Sequence, residues 1–144
     1  MKHWLPTKNS KYFMQKEDFL AALHYALRYD SLNEKYHALC ADTSKGIRYD
    51  LDKVQSSPSG DEVEKVAIRR AEIREKLDKI EKALELAEDN EILRAYLKKG
   101  VCYGLTYKQL AHIEDTNGNK GIPCGKDLYY EHRRRFYWEL SKMI

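Results

Sequence analysis

The stretch SGDEVEKVAIRRAEIREKLDKIEKALELAE, residues 59–88, decides the fold class. Val63, Val66, Ile73, Leu77, Ile80, Leu84 and Ala87 recur at helical steps of three and four residues, with Arg70 as the one polar member of the stripe. That period belongs to an α-helix with one apolar face. Neither Gly nor Pro interrupts the chain from Asp61 to Glu88. Ser59 and Glu62 have the spacing of a capping box, in which the hydroxyl takes a free amide three residues on and the carboxylate reaches back. Asp61 and Glu62 suit the positive end of the helix dipole. Glu72–Lys76, Glu75–Lys79 and Asp78–Lys82 are four apart, each pair worth about 0.2–0.5 kcal/mol. A helix of ~28 residues at ~1.5 Å per residue is ~42 Å long. Two readings of the 63–87 stripe stand side by side. It faces the chain's other helices, or part of it zips against a second copy to make a homodimer, with Arg70 fixing the register.

Upstream, Trp4, Pro6, Tyr12 and Phe13 mark an irregular start over residues 1–14. From about Lys16 the spacing turns helical through Phe19, Leu20, Leu23, Leu27, Leu32, Tyr36 and Leu39, as one helix or as two with a break near Asp30 and Ser31. Residues 41–59 hold Asp42, Ser44, Gly46, Asp50, Asp52, Pro58 and Ser59 without a sustained period, which predicts a loop. Downstream, Asp89-Asn90 marks a break. The pattern predicts helices over 92–103, over 106–113 with Thr106 as cap, and over about 125–143, with a turn-rich loop at 114–121 that Asn117-Gly118 could make into a hairpin tip. The expected fold is all-α: an N-terminal helical region and loop (1–59), a long central helix (60–89) and a closing trihelical region (90–144).

Charge is uneven along the chain. Residues 61–90 hold 7 Lys/Arg against 10 Asp/Glu, whereas residues 91–144 hold 10 against 6. The last predicted helix carries Lys126, Asp127, Tyr130, Arg133, Arg134 and Arg135, an interleaving of basic and aromatic side chains. Arginine forks match phosphate and guanine edges, and tyrosine offers a stacking face with a hydroxyl. Three closing helices with a short middle one form the plan of a helix-turn-helix, whose last helix enters the major groove. In that geometry Lys126, Asp127 and Tyr130, near the helix start, reach base edges of duplex DNA. Arg133 and Arg134 meet backbone phosphates, and Lys108 on the preceding helix is a further candidate for contact with DNA. The same cluster also suits a protein-binding surface or a solvated face. Tyr129, Phe136, Leu140 and Met143 are spaced to pack inward.

The segment GLTYKQLA (104–111) resembles the signature of the helix-turn-helix in sigma-70 region 4. The run DKVQSSPSGD (52–61), followed by a long charged helix, resembles small phage-encoded transcriptional regulators of Gram-positive bacteria, the ArpU/RinA type. The ending IPCGKDLYYEHRRRFYWEL (122–140) is similar to the end of small prophage proteins. The resemblance implies a sigma-like trihelical C-terminal region and a regulator that switches on phage genes inside a bacterial host. A phage-encoded adaptor or inhibitor that binds host RNA polymerase or a defence component is the alternative.

Other classes find little support. No two histidines stand at i, i+4 with a Glu between them, and no Gly-rich phosphate loop occurs. Cys40, Cys102 and Cys124 are odd in number and far apart, which suits a reducing compartment. No apolar run approaches the ~18 residues of a membrane span. The expectation is therefore a cytoplasmic, non-enzymatic protein that needs no metal or cofactor.

Overall fold

The 63–87 pattern does form one helix, the longest among the described residues. The structure, a computed structural model, describes residues 11–52, 60–113 and 120–144, with side chains left aside over 42–61. Among the described residues there are six helices: α1 (Lys16–Leu27), α2 (Tyr29–Asp52), α3 (Gly60–Ala87), α4 (Glu91–Tyr103), α5 (Tyr107–Leu110) and α6 (Lys126–Met143). They contain no strand, so the fold is all-α. None of them is long and apolar enough to cross a membrane.

The N-terminal spacing resolves into two helices, broken at Arg28. The expected loop at 41–59 is corrected over 41–52, because α2 stays helical to Asp52. Its Asp, Ser and Gly residues each lower helix propensity by no more than about 1 kcal/mol. Ile47 and Leu51 keep a helical step, and no proline intervenes before Pro58. Residues 53–59 lie outside the described residues, and with them the Ser59 half of the capping box. So do residues 114–119 of the predicted loop at 114–121. The short middle helix is trimmed to four residues, Tyr107–Leu110.

The chain forms two units. One takes in Asp30–Asp78, that is, nearly all of α2 and the first two-thirds of α3. Within it, the Arg74 guanidinium lies 5.4 Å from the Tyr36 ring centroid and its Nη2 is 2.7 Å from Asp78. Among the described residues, Leu32, Ile73 and Leu77 are its buried apolar side chains. Val63 and Ile68, nearer the start of α3, stay half-exposed to solvent.

The other unit runs up to Tyr29 and resumes over Lys79–Ile144. Here α1 packs on both α4 and α6, and α4 packs on α5 and α6. Its interior is built from Phe19, Ile80, Tyr96, Leu97, Phe136 and Tyr137. The Phe19 and Tyr137 rings meet edge-on at 5.1 Å between centroids, and Tyr12 meets Trp138 at 5.4 Å. Such aromatic pairs contribute about 0.5–1.5 kcal/mol beyond burial. Phe136, Tyr129 and Leu140 are buried as their spacing predicts, and Met143 is half-buried.

Candidate functional site

Helices α4, α5 and α6 are set by strong local signals. Asn90 caps α4, its Oδ1 accepting from the amides of Ile92 (2.9 Å) and Leu93 (3.1 Å). Arg94 reaches back from α4 to donate to the carbonyls of Glu88 (2.9 Å) and Asp89 (3.0 Å), which occupies acceptors at the end of α3. α4 ends at Gly104 with φ +72°, the left-handed conformation that glycine adopts without a Cβ penalty. Thr106 then caps α5 in a reciprocal box: its Oγ1 accepts from the Gln109 amide (3.2 Å), and Gln109 Oε1 accepts from the Thr106 amide (2.8 Å). Gln109 thus fills the returning role usually given to glutamate. Gly125 occupies the N-cap of α6.

The predicted DNA-contacting residues divide into two groups. Lys126 and Asp127, in the first turn of α6, are exposed, as is Lys108 on α5. Beyond Leu128 the helix sinks into the unit. Tyr130, Arg133 and Arg134 are half-buried there, and Glu131 is the one exposed residue between Tyr129 and Ser141. Arg133 is held by aromatic rings. Its guanidinium carbon lies 5.4 Å from the Tyr137 centroid and 5.9 Å from that of Tyr130, and Nη2 is 3.5 Å from the Tyr137 hydroxyl.

Arg133 and Tyr130 line a cavity of about 430 Å³. Leu23 and Leu27 of α1 form one side, and Leu105 and Tyr107 form another. Tyr129 floors it over Gly100, where an added Cβ would run into the Tyr129 hydroxyl. The Tyr107 hydroxyl donates to the Cys124 carbonyl (2.7 Å), tying α5 to the segment before α6. Burial pushes the phenols of Tyr129 and Tyr137 above the usual tyrosine range, while the Arg133 charge pulls both the other way. A positive field therefore reaches these hydroxyls.

Two polar clusters escaped the sequence reading. His132, just before the three arginines of α6, reaches the end of α3. Its Nδ1 lies 3.0 Å from the Ala87 carbonyl and its Nε2 lies 2.9 Å from Glu88 Oε2. Glu88 also accepts from the Asn90 amide at 3.0 Å. The second cluster joins α4 to the start of α2. Lys98 Nζ donates to the Tyr29 hydroxyl (2.9 Å), which donates to Glu81 Oε1 (2.9 Å). Burial works against the Lys98 ammonium, yet the Tyr29 hydroxyl and the nearby negative groups hold its pKa above the ordinary lysine value. Each cluster is closed by contacts between residues at least 44 positions apart in sequence, so no local motif could announce them. A smaller surprise is Lys142, whose Nζ lies 3.1 Å from the Trp138 ring centroid.

Two thiols, Cys102 and Cys124, lie in this unit. Burial raises the Cys102 pKa to about 12, and it raises that of Cys124 as well. A thiol held protonated is a poor nucleophile and a poor metal ligand. Among the described residues, no group of three or more His, Cys, Asp or Glu could hold a metal ion.

Comparison of the chain with models of known protein families, with curated proteins and with solved structures gives no match.

Proposed function

We propose that this chain is a phage-type transcriptional regulator that binds duplex DNA through the start of α6. The observation that carries the reading is the exposed first turn of α6, with Lys126 and Asp127, at the end of a capped three-helix series. A recognition helix reads bases with residues near its N-terminus, and the rest of it belongs to the packing that holds it. The division of α6 into an exposed first turn and a buried body suits that arrangement. Lys108 and Arg134 supply phosphate contacts in this reading, and Tyr130 stands at the margin of the exposed turn. The excess of Lys and Arg over residues 91–144 adds the general attraction to phosphate. The sigma-like character and the phage setting rest on the resemblance of residues 52–61, 104–111 and 122–140 quoted above.

A gel-shift titration against phage promoter fragments at about 50 and 200 mM salt tests the proposal. Binding is expected to weaken steeply with salt. Arg134→Ala is expected to weaken all sequences about equally and to lower the log–log salt slope by roughly 1. Lys126→Ala is expected to relax preference at one or two base pairs by about 1–3 kcal/mol. No retardation at low salt, with the protein folded by circular dichroism, rejects DNA binding.

A second reading has its own observation. Leu27 and Tyr103 are exposed apolar side chains in the unit that carries the cavity, the kind of surface an adaptor or inhibitor would offer to a host protein such as RNA polymerase or a defence component. In that case the protein is captured by its partner and leaves DNA unshifted. A homodimer is compatible with either reading. Because Ile73, Leu77, Ile80, Leu84 and Ala87 are buried within the chain, a dimer seam would draw on Val63 and Val66. Light scattering on the purified protein decides between monomer and dimer.

A further inference from the structure

We propose that the cavity between α1, the α4–α5 turn and α6 is a binding site for a small planar aromatic anion, its ring among the tyrosines and its acidic group on Arg133. Three observations meet at this place. The volume, about 430 Å³, falls in the range of pockets that take small organic ligands, roughly 300–1,000 Å³. The walls are aromatic and aliphatic: Tyr107 and Tyr129 sit 5.6 Å apart between centroids, Tyr129 and Tyr130 5.3 Å, and Leu23 and Leu27 face them. Tilted rings at these separations present faces and edges on which a further ring can stack. Arg133 brings the only formal charge among the described residues that line the cavity.

The placement of Arg133 matters as much as its charge. Its guanidinium rests against two tyrosine rings, so its rotamer freedom is already restricted before any ligand arrives. A fork held in this way costs less ordering when it meets a carboxylate than one on a free side chain. The positive field it casts on the Tyr129 and Tyr137 hydroxyls has the sign that an anion requires. Gly100 keeps the space open, since any side chain there would displace Tyr129. The floor of the cavity thus depends on a residue that the apolar pattern of α4 alone would have filled with a larger one.

The inference stands apart from the DNA reading, and its test needs no DNA. The full chain is titrated with benzoate and indole-3-carboxylate, and separately with the matched neutral and cationic probes benzyl alcohol and benzylamine. Binding is followed by amide NMR shifts. The carboxylates are expected to give saturable shifts at Gly100, Gly104 and Leu105, and to bind at least about tenfold more tightly than the alcohol or the amine. Arg133→Gln is expected to lose at least about tenfold in carboxylate affinity. Leu27→Trp, a change at an exposed position of the cavity wall, is expected to abolish binding by filling the space, and it gives a reading if Arg133→Gln does not fold. The proposal is overturned if no probe saturates, if benzylamine binds as well as benzoate, if the shifts map away from the cavity, or if either folded variant binds like the wild type.

Discussion

Between Gly60 and Asp78, α3 holds Val63 at 55% exposure and Val66 half-buried. Between Lys79 and Ala87, Ile80 and Ala83 are fully buried and Leu84 is 2% exposed. One repeat of apolar residues runs through both parts, and it makes both helical. What differs is the company each part keeps. The later part belongs to the unit in which α1, α4 and α6 pack together. The earlier part belongs to the 30–78 unit, where Ile73 and Leu77 are buried, Val66 is half-buried and Val63 is exposed. Periodicity therefore fixes which face of a helix is apolar, and the neighbouring elements fix how much of that face leaves water.

The contrast is most easily broken by an aspartate on each part. Leu84→Asp places an unpaired charge at a buried position, and the expected loss is about 4 kcal/mol or more. A Leu84→Asp protein that melts at the wild-type temperature would show that the later part of the stripe is not a core seam.

The thiols sharpen the contrast through pH. Cys102 is buried in the unit that contains the later part of α3, and Cys40 is half-buried in the other. Burial lifts the Cys102 pKa from 9.0 to about 12. The folded state therefore holds this proton more tightly than the unfolded chain. Its contribution is intact below about pH 9 and is lost as pH rises from 9 towards 12, at about 1.4 kcal/mol per unit. Urea midpoints are expected to fall over that window in the wild type and to fall less steeply in Cys102→Ala. At pH 8 a thiol reagent is expected to label Cys40 in the native protein well before Cys102. Equal labelling rates would remove the distinction.

The smallest effect is expected at Val63→Asp, within about 0.5 kcal/mol, because the side chain is already in water. A large loss there would mean that this face is covered in solution, and a dimer that dissociates on substitution would supply the cover.

Much of the fold could be read from the sequence because it is written in short-range terms. The helical period of α3, the break at Asn90, the Thr106 cap and the start of α6 at Lys126 all involve residues within a few positions of one another. The failure at 41–52 has the same origin. Asp, Ser and Gly favour loops, yet none of them is a strong helix breaker and the prolines lie elsewhere. The candidate site was legible only in part. Exposure of Lys126, Asp127 and Lys108 follows from their polarity. That Arg133 would lie against Tyr130 and Tyr137, and that His132 would seek the end of α3, depends on which faces of α6 meet α1, α3 and α4. Sequence spacing on α6 names its faces but not their neighbours.

The packing of α1 against α4 and α6 also bears on how the protein is made. α1 leaves the ribosome about 100 residues ahead of α6. At roughly 5–20 residues per second, that is an interval of about 5–20 s. Throughout it, Phe19, Ala22 and Ala26, which end fully buried, have no completed interior to enter. The nascent chain must therefore carry an apolar helix in waiting. A ribosome stalled before residue 126 would release a chain whose first helix has lost its largest partner, a natural target for chaperones and proteases.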